Sequence, residues 1–148
     1  MPAVPELLHF DHDTAWRLGS ALVERGRRDA LPVTVAIWLG DQRVFHAGLP
    51  GSSADNDQWV ERKARIVRHF NLSSAEVHDQ YAGDDVERFL RVFALPIDRY
   101  FPAGGAVPIV VGGTTVGVLA ISGLASTADH DLAVEELDRL ARDLSSAG

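Results

Sequence analysis

Residues 109–122 have the sequence IVVGGTTVGVLAIS. Two apolar runs, Ile109–Val111 and Val116–Ser122, flank the turn residues Gly112-Gly113-Thr114. Residues branched at Cβ favour strands, and paired glycines supply the positive φ angles of a tight hairpin turn. The stretch therefore predicts a buried β-hairpin, whose two strands pair antiparallel.

A second hairpin is predicted earlier in the chain. Apolar side chains alternate from Val33 to Leu39, which is the period of a strand with one buried face. Gly40-Asp41-Gln42 is a turn sequence, and Arg43–Ala47 runs back. Two hairpins indicate an antiparallel sheet.

Helices are predicted around and between the hairpins from capping residues and apolar spacing near 3.6. The predicted helices are residues 11–28, capped by Asp11 or Asp13; a helix capped by Asp55 or Asn56 and ending near Asn71; a short helix at the capping box Ser73-x-x-Glu76; the acidic stretch from Gly83 to Phe93, where a helix is favoured over a strand; and a last helix capped by Ser126 or Thr127. The order helix, hairpin, helices, hairpin, helix predicts an α/β (α+β) fold with an antiparallel sheet covered by helices.

Length and composition limit the classes of function. A chain of 148 residues is expected to form one domain over residues 1–148. The net charge of −7, without a cluster of Lys and Arg, argues against nucleic acid as a partner. We expect a cytoplasmic protein without membrane insertion, because neither a signal-type segment nor a membrane-length apolar run occurs. The absence of cysteine excludes disulfides, thiolate-ligated haem and Cys-based zinc sites.

No strong catalytic motif occurs, so no catalytic residue is predicted. The sequence contains no G-x-S-x-G, G-x-x-x-x-G-K-[ST], G-x-G-x-x-G or H-E-x-x-H pattern. His9 and His12, with Asp11 and Asp13 beside them, superficially resemble a metal cluster. Without further ligands this spacing favours a helix-capping entry, and no metal site is predicted.

Asp129-His130-Asp131 has two interpretations. The carboxylates could fix the tautomer of the His130 imidazole for general-base chemistry. The alternative, which we favour, is that the acids complement the dipole of the last helix and His130 lies in solvent.

Asn56 and Asp57 lie at the start of the second helix, where an anion is favoured. Helical spacing of four residues places Trp59 and Lys63 on one face beneath them. Lys63 is the only lysine in the chain, which hints that a compact ammonium is needed there. The alternative is a surface ion pair between Lys63 and Asp57 or Glu61.

Gly104 and Gly105 precede the second hairpin. Without a Cβ atom they permit close approach of the backbone to a ligand. The alternative is a plain turn.

Several segments together resemble a known family. The segments are Phe45–Gly51, Asp55–Trp59 continuing to Arg62-Lys63, Gly104–Ile109, and Val118–Leu124 followed by Asp129-His130. They resemble the uncharacterised-protein branch of the haem-degrading, GlcG-like family. The resemblance implies a profilin-like fold, dimers or larger homo-oligomers, and haem as the cofactor. The region from Ser73 to Arg99 departs from the family pattern through an acidic insert, Gly83-Asp84-Asp85.

Two functions follow as expectations. The first is binding or degradation of haem, for which the resemblance supports His46 and His130 as axial ligands, because both lie in matched segments. The second is a non-catalytic oligomeric module for a small anionic metabolite or a protein partner, with Asn56, Asp57, Lys63, Gly104 and Gly105 around the ligand. Self-association is expected in both cases, because the hairpin over residues 107–121 would otherwise leave a sheet edge exposed.

Overall fold

The computed structural model describes residues 3–147. The elements in chain order are β1 (Glu6–Leu7), α1 (His12–Arg28), β2 (Thr34–Leu39), β3 (Gln42–Gly48), α2 (Ala54–Phe70), α3 (Ser74–Val77), a single π-helical turn (His78–Ala82), α4 (Val86–Val92), β4 (Ala106–Val111), β5 (Thr114–Ser122) and α5 (Ser126–Ala147). Both predicted hairpins and every predicted helix are present, and none of the described helices is long and apolar enough to cross a membrane.

One five-stranded sheet has the strand order β1-β4-β5-β2-β3. The pairs β2–β3, β2–β5 and β4–β5 are antiparallel, and the short β1 adds a parallel pairing to β4. Gly112 and Gly113 have φ of 57° and 78°, so the paired glycines form the tight turn between β4 and β5. The predicted fold, a profilin-like antiparallel sheet covered by helices, is confirmed.

The alternation along the strands assigns each face of the sheet to different helices. Val33, Val35 and Ile37 belong to a core shared with α1 and α5. The opposite face carries Ala36 and Trp38, which pack against α2. Its other sheet residues include Ala106 and Ala120, and such small side chains let a helix lie close to the strands.

The expectation that the second hairpin leaves an open edge is wrong. β5 lies at the centre of the sheet, and β4 is partly covered by β1. Ser74 Oγ covers a further part of β4, because it accepts a hydrogen bond from Ala106 N (3.0 Å) and donates to Ala106 O (3.3 Å). The free strand at the other edge is β3. Self-association therefore stays a prediction, but an exposed edge of the second hairpin no longer supports it.

Local signals placed most helix ends correctly. Asp11 caps α1, Ser73 caps α3, and Asn71 ends α2 in the left-handed conformation. Two predicted caps are wrong. The N-cap of α2 is Ser53, and Asn56 closes the turn by accepting from Ser53 N at 2.9 Å. Helix α5 begins at Ser126, so Ser126 and Thr127 lie in its first turn.

Candidate functional site

Two cavities adjoin where α2, the loop before β4 and the start of α5 meet. The His130 cavity, of about 500 Å³, is lined mainly by α3, the π-helical turn, residues 101–104 and α5. The Lys63 cavity, of about 360 Å³, is lined by α2, the end of β5 and α5. Phe101, Ala103 and Ser126 line both, so the two cavities lie side by side.

Lys63 forms a buried ion pair. The residue is 3% exposed, and Nζ lies 3.3 Å from Asp129 Oδ2 while donating to Ile121 O at 3.0 Å. The alternative of a surface pair is wrong, because Glu61 pairs with Arg43. Burial lowers the pKa of Lys63 and raises the pKa of Asp129, and each charge partly offsets the shift of its partner. The ammonium is thus compensated within the protein.

Asp129 ties together three segments. Its Oδ2 accepts a hydrogen bond from Lys63 on α2. Its Oδ1 accepts a hydrogen bond from Leu124 N at 3.0 Å, in the turn between β5 and α5. Asp129 lies in the first turn of α5, as predicted, and is only 1% exposed. No hydrogen bond joins it to His130 in the described residues, and the carboxylate therefore does not set the His130 tautomer.

Gly104 and Gly105 allow the loop before β4 to pack closely against neighbouring segments of the chain. Gly105 has φ +132°, and a Cβ atom there would lie 2.8 Å from Lys63 Nζ and would also meet Ile121 O. A Cβ atom on Gly104 would lie 2.6 Å from Ser126 O. The close backbone approach predicted from these glycines is therefore made to β5, α5 and Lys63. Gly104 lines the His130 cavity, whereas Gly105 lines neither cavity.

The side chains of Asn56 and Asp57 point to different parts of the molecule. Asn56 lines the Lys63 cavity and donates from Nδ2 to Ser122 Oγ at 3.1 Å. Asp57 points to His46 on β3, whose Nε2 lies 3.1 Å from Asp57 Oδ1. His46 and Asp57 line neither cavity. The structure thus does not bring His46 and His130 into one site.

His130 is a buried, neutral histidine in the cavity wall. It is 3% exposed, and neither ring nitrogen has a hydrogen-bond partner in the described part of the chain. Burial is the main cause that lowers its pKa, so the imidazole is uncharged at neutral pH. The favoured expectation of a solvent-exposed His130 is wrong.

Two polar residues of the His130 cavity were missed by sequence reasoning. His78 and Asp79 follow α3 on the π-helical turn, and His78 Nδ1 lies 3.1 Å from Asp79 Oδ1. A π-helical turn has no recognisable sequence period, so only the adjacent His-Asp pair could have marked it. Among residues 3–147 no three His, Cys, Asp or Glu side chains are grouped to hold a metal ion.

Comparisons with known proteins agree with this fold. A family model described as haem degrading protein HbpS-like matches residues 10–138. A UPF0303 protein of Streptomyces avermitilis is 41% identical over 148 residues, covering 93% of this chain and 90% of the relative. The crystal structure of the Ybr137w protein is similar with a TM-score of 0.84 and 29% identity, covering 93% of this chain and 81% of the other. A PduOC–haem complex is similar with a TM-score of 0.73 and 20% identity, covering 87% and 93%.

Proposed function

The chain belongs to the HbpS-like family of haem-degrading proteins, and from this premise we propose that it binds haem in the His130 cavity. Family membership makes haem plausible, and one protein of similar fold has been solved with haem bound. The proposal for this chain rests on its own cavity.

The observation that carries the proposal is an apolar cavity with two imidazoles in its wall. About 500 Å³ lies within the usual range for small-molecule sites. The apolar lining consists of Ala75, Val86, Phe101, Pro102 and Ala103. His78 and His130 both lie in its wall, and imidazole is a common axial ligand of haem iron.

The unpartnered nitrogens of His130 support the fit. Buried polar atoms nearly always have a hydrogen-bond partner, and an exception calls for a ligand or water. A polar ligand group in the cavity would therefore satisfy a nitrogen that the protein leaves unpaired. When bound, haem would supply the redox-active iron, while Phe101 and Pro102 would contact the tetrapyrrole and exclude water.

A haemin titration tests the proposal. The purified protein is expected to give a saturable shift of the Soret band at micromolar concentration. The shift should be retained in His46→Ala, whose side chain lies outside both cavities, and weakened in a variant with both His78 and His130 replaced by Ala. An unshifted spectrum of the wild type would refute haem binding. Degradation needs a further result, which is loss of the Soret band with reductant or peroxide beyond that of free haem.

A second candidate is a small anionic metabolite in the Lys63 cavity. Asn56, Lys63 and Ser122 line this cavity close to the N-terminal end of α2, where backbone N–H groups favour an anion. The ion pair with Asp129 weakens this candidate, because it already compensates the ammonium. A thermal-shift screen against organic acids, inorganic phosphate and haemin separates the two functions. Stabilisation by an anion that is lost in Asn56→Ala would favour the second.

A further inference from the structure

We propose that His78, oriented by Asp79, supplies the axial nitrogen to haem iron, and that His130 is a wall residue of the same cavity. This inference rests on the proposed function, because it assigns the ligand within that site. It changes the assignment obtained from the family resemblance, which favoured His46 and His130.

The His78–Asp79 pair has the geometry of an oriented metal ligand. The Nδ1 atom of His78 lies 3.1 Å from Asp79 Oδ1, so Nδ1 carries the proton and donates to the carboxylate. This tautomer leaves the lone pair on Nε2. Histidines that bind metals commonly donate their other ring N–H to a carboxylate, which fixes the ring and raises its basicity.

Access distinguishes the two histidines. The His78 side chain is 43% exposed and lines the cavity, so a ligand there can contact the ring while Nδ1 stays bonded to Asp79. Both ring nitrogens of His130 are buried, and the residue is 3% exposed. No carboxylate is hydrogen-bonded to either of them in the described residues. Ligation by His130 would require its ring to leave its packed position on α5.

The backbone beneath His78 is held firmly. The π-helical turn closes with a hydrogen bond from Gly83 N to His78 O at 2.7 Å. Within the turn, Ala82 is buried and the Tyr81 ring stacks on Phe70 of α2 at a centroid distance of 5.7 Å. π-Helical turns are often found at functional sites. The turn thus presents the imidazole, oriented by Asp79, from a well-packed backbone.

The test compares three single variants with the wild type, each checked for folding by thermal denaturation. His78→Ala is expected to lose the spectrum of nitrogen-ligated ferric haem and to bind haemin about tenfold or more weakly. Added imidazole should restore the spectrum, because it replaces the missing ring. His130→Phe, which retains an aromatic ring in the wall, should keep the nitrogen-ligated spectrum. His46→Ala serves as the matched control for removal of a histidine.

A measurement without haem tests the orienting carboxylate. In the apoprotein, ¹⁵N NMR of the His78 imidazole should show the proton on Nδ1 in the wild type and a shifted tautomer balance in Asp79→Asn. The same variant should bind haemin about tenfold more weakly, if the carboxylate orients the ligand. If Asp79→Asn changes neither the tautomer of His78 nor the affinity for haemin, Asp79 does not orient the ligand.

The outcomes separate the inference from the proposed function. If the wild type binds haemin but nitrogen ligation is lost in His130→Phe and kept in His78→Ala, the assignment to His78 is overturned and haem binding stands. If the wild type gives no saturable Soret shift, haem binding fails and the assignment fails with it.

Discussion

The buried pair of Lys63 and Asp129 is the residue-scale feature with the largest consequence for stability. Both side chains are almost fully buried, and the ion pair joins α2 to α5 beside the candidate site. Burying two charges costs desolvation free energy, and their mutual attraction and hydrogen bonds offset that cost. Removing one partner leaves the other charged, buried and uncompensated.

We therefore predict that Lys63→Met lowers the free energy of unfolding by about 3–5 kcal/mol. The double variant Lys63→Met/Asp129→Leu should recover most of the loss, because both charges are gone. Urea denaturation followed by circular dichroism measures all three proteins. Arg43→Met is the matched control, since it breaks the exposed pair with Glu61 and should cost about 1 kcal/mol or less. A double variant no more stable than Lys63→Met would contradict the prediction.

His130 is predicted to make stability depend on pH. Burial lowers its pKa below 6.5 in the folded protein, while Asp131, Glu76 and Asp79 act in the opposite direction. As pH falls below about 6.5 the unfolded chain takes up the proton first, so stability is lost on acidification. One proton contributes at most about 1.4 kcal/mol per pH unit.

The measurement is the free energy of unfolding of wild type and His130→Phe between neutral and mildly acidic pH. The wild type should lose more stability than the variant below about pH 6.5, and the two curves should run parallel above it. Parallel curves over the whole range would show that His130 titrates equally in both states.

At the scale of elements, the packing of α2 on the sheet positions the Lys63 cavity. Asn56, Trp59 and Lys63 of this helix line the Lys63 cavity. The helix rests on a face whose sheet residues include Ala36, Ala106 and Ala120, all fully buried. A larger side chain on that face would push the helix outward and move one wall of the cavity.

Ala120→Leu is accordingly predicted to lower the free energy of unfolding by about 1–3 kcal/mol through overpacking. It should also weaken the binding of an anion in the Lys63 cavity. The affinity for haemin in the neighbouring cavity should fall less. Chemical denaturation and thermal-shift titration measure the two effects. The control Ala47→Leu changes a partly buried alanine of the edge strand β3. Equal losses in both variants would contradict the close seating of α2.

At the scale of the whole molecule, the assembly remains a prediction. Large apolar side chains are exposed at several places in the described chain: Leu8, Trp16, Val92 and Ile97. Exposed apolar surface is a common sign of association, and soluble homo-oligomers are most often closed dimers. We expect a dimer or a larger closed homo-oligomer. Light scattering behind a sizing column decides this, and the mass of a single chain throughout a dilution series would refute it.

The sequence by itself determined the elements and the fold class. Gly112-Gly113 between two apolar runs fixed the hairpin, because local turn geometry and strand alternation are properties of neighbouring residues. Asp11 and Ser73 marked helix starts for the same reason. The spacing of Trp59 and Lys63 correctly placed both on the cavity side of one helix.

The tertiary structure alone decided the site. Lys63 pairs with Asp129, which is 66 positions away, and no local pattern specifies that contact. The central place of β5, the burial of His130 and the position of His78 beside it likewise depend on how distant segments pack. Helical spacing fixes which side chains share a face, whereas the packing free energy of the whole chain fixes what that face meets. For that reason the sequence placed Lys63 on the correct face, whereas its pairing with Asp129 was not among the partners that the local pattern offered.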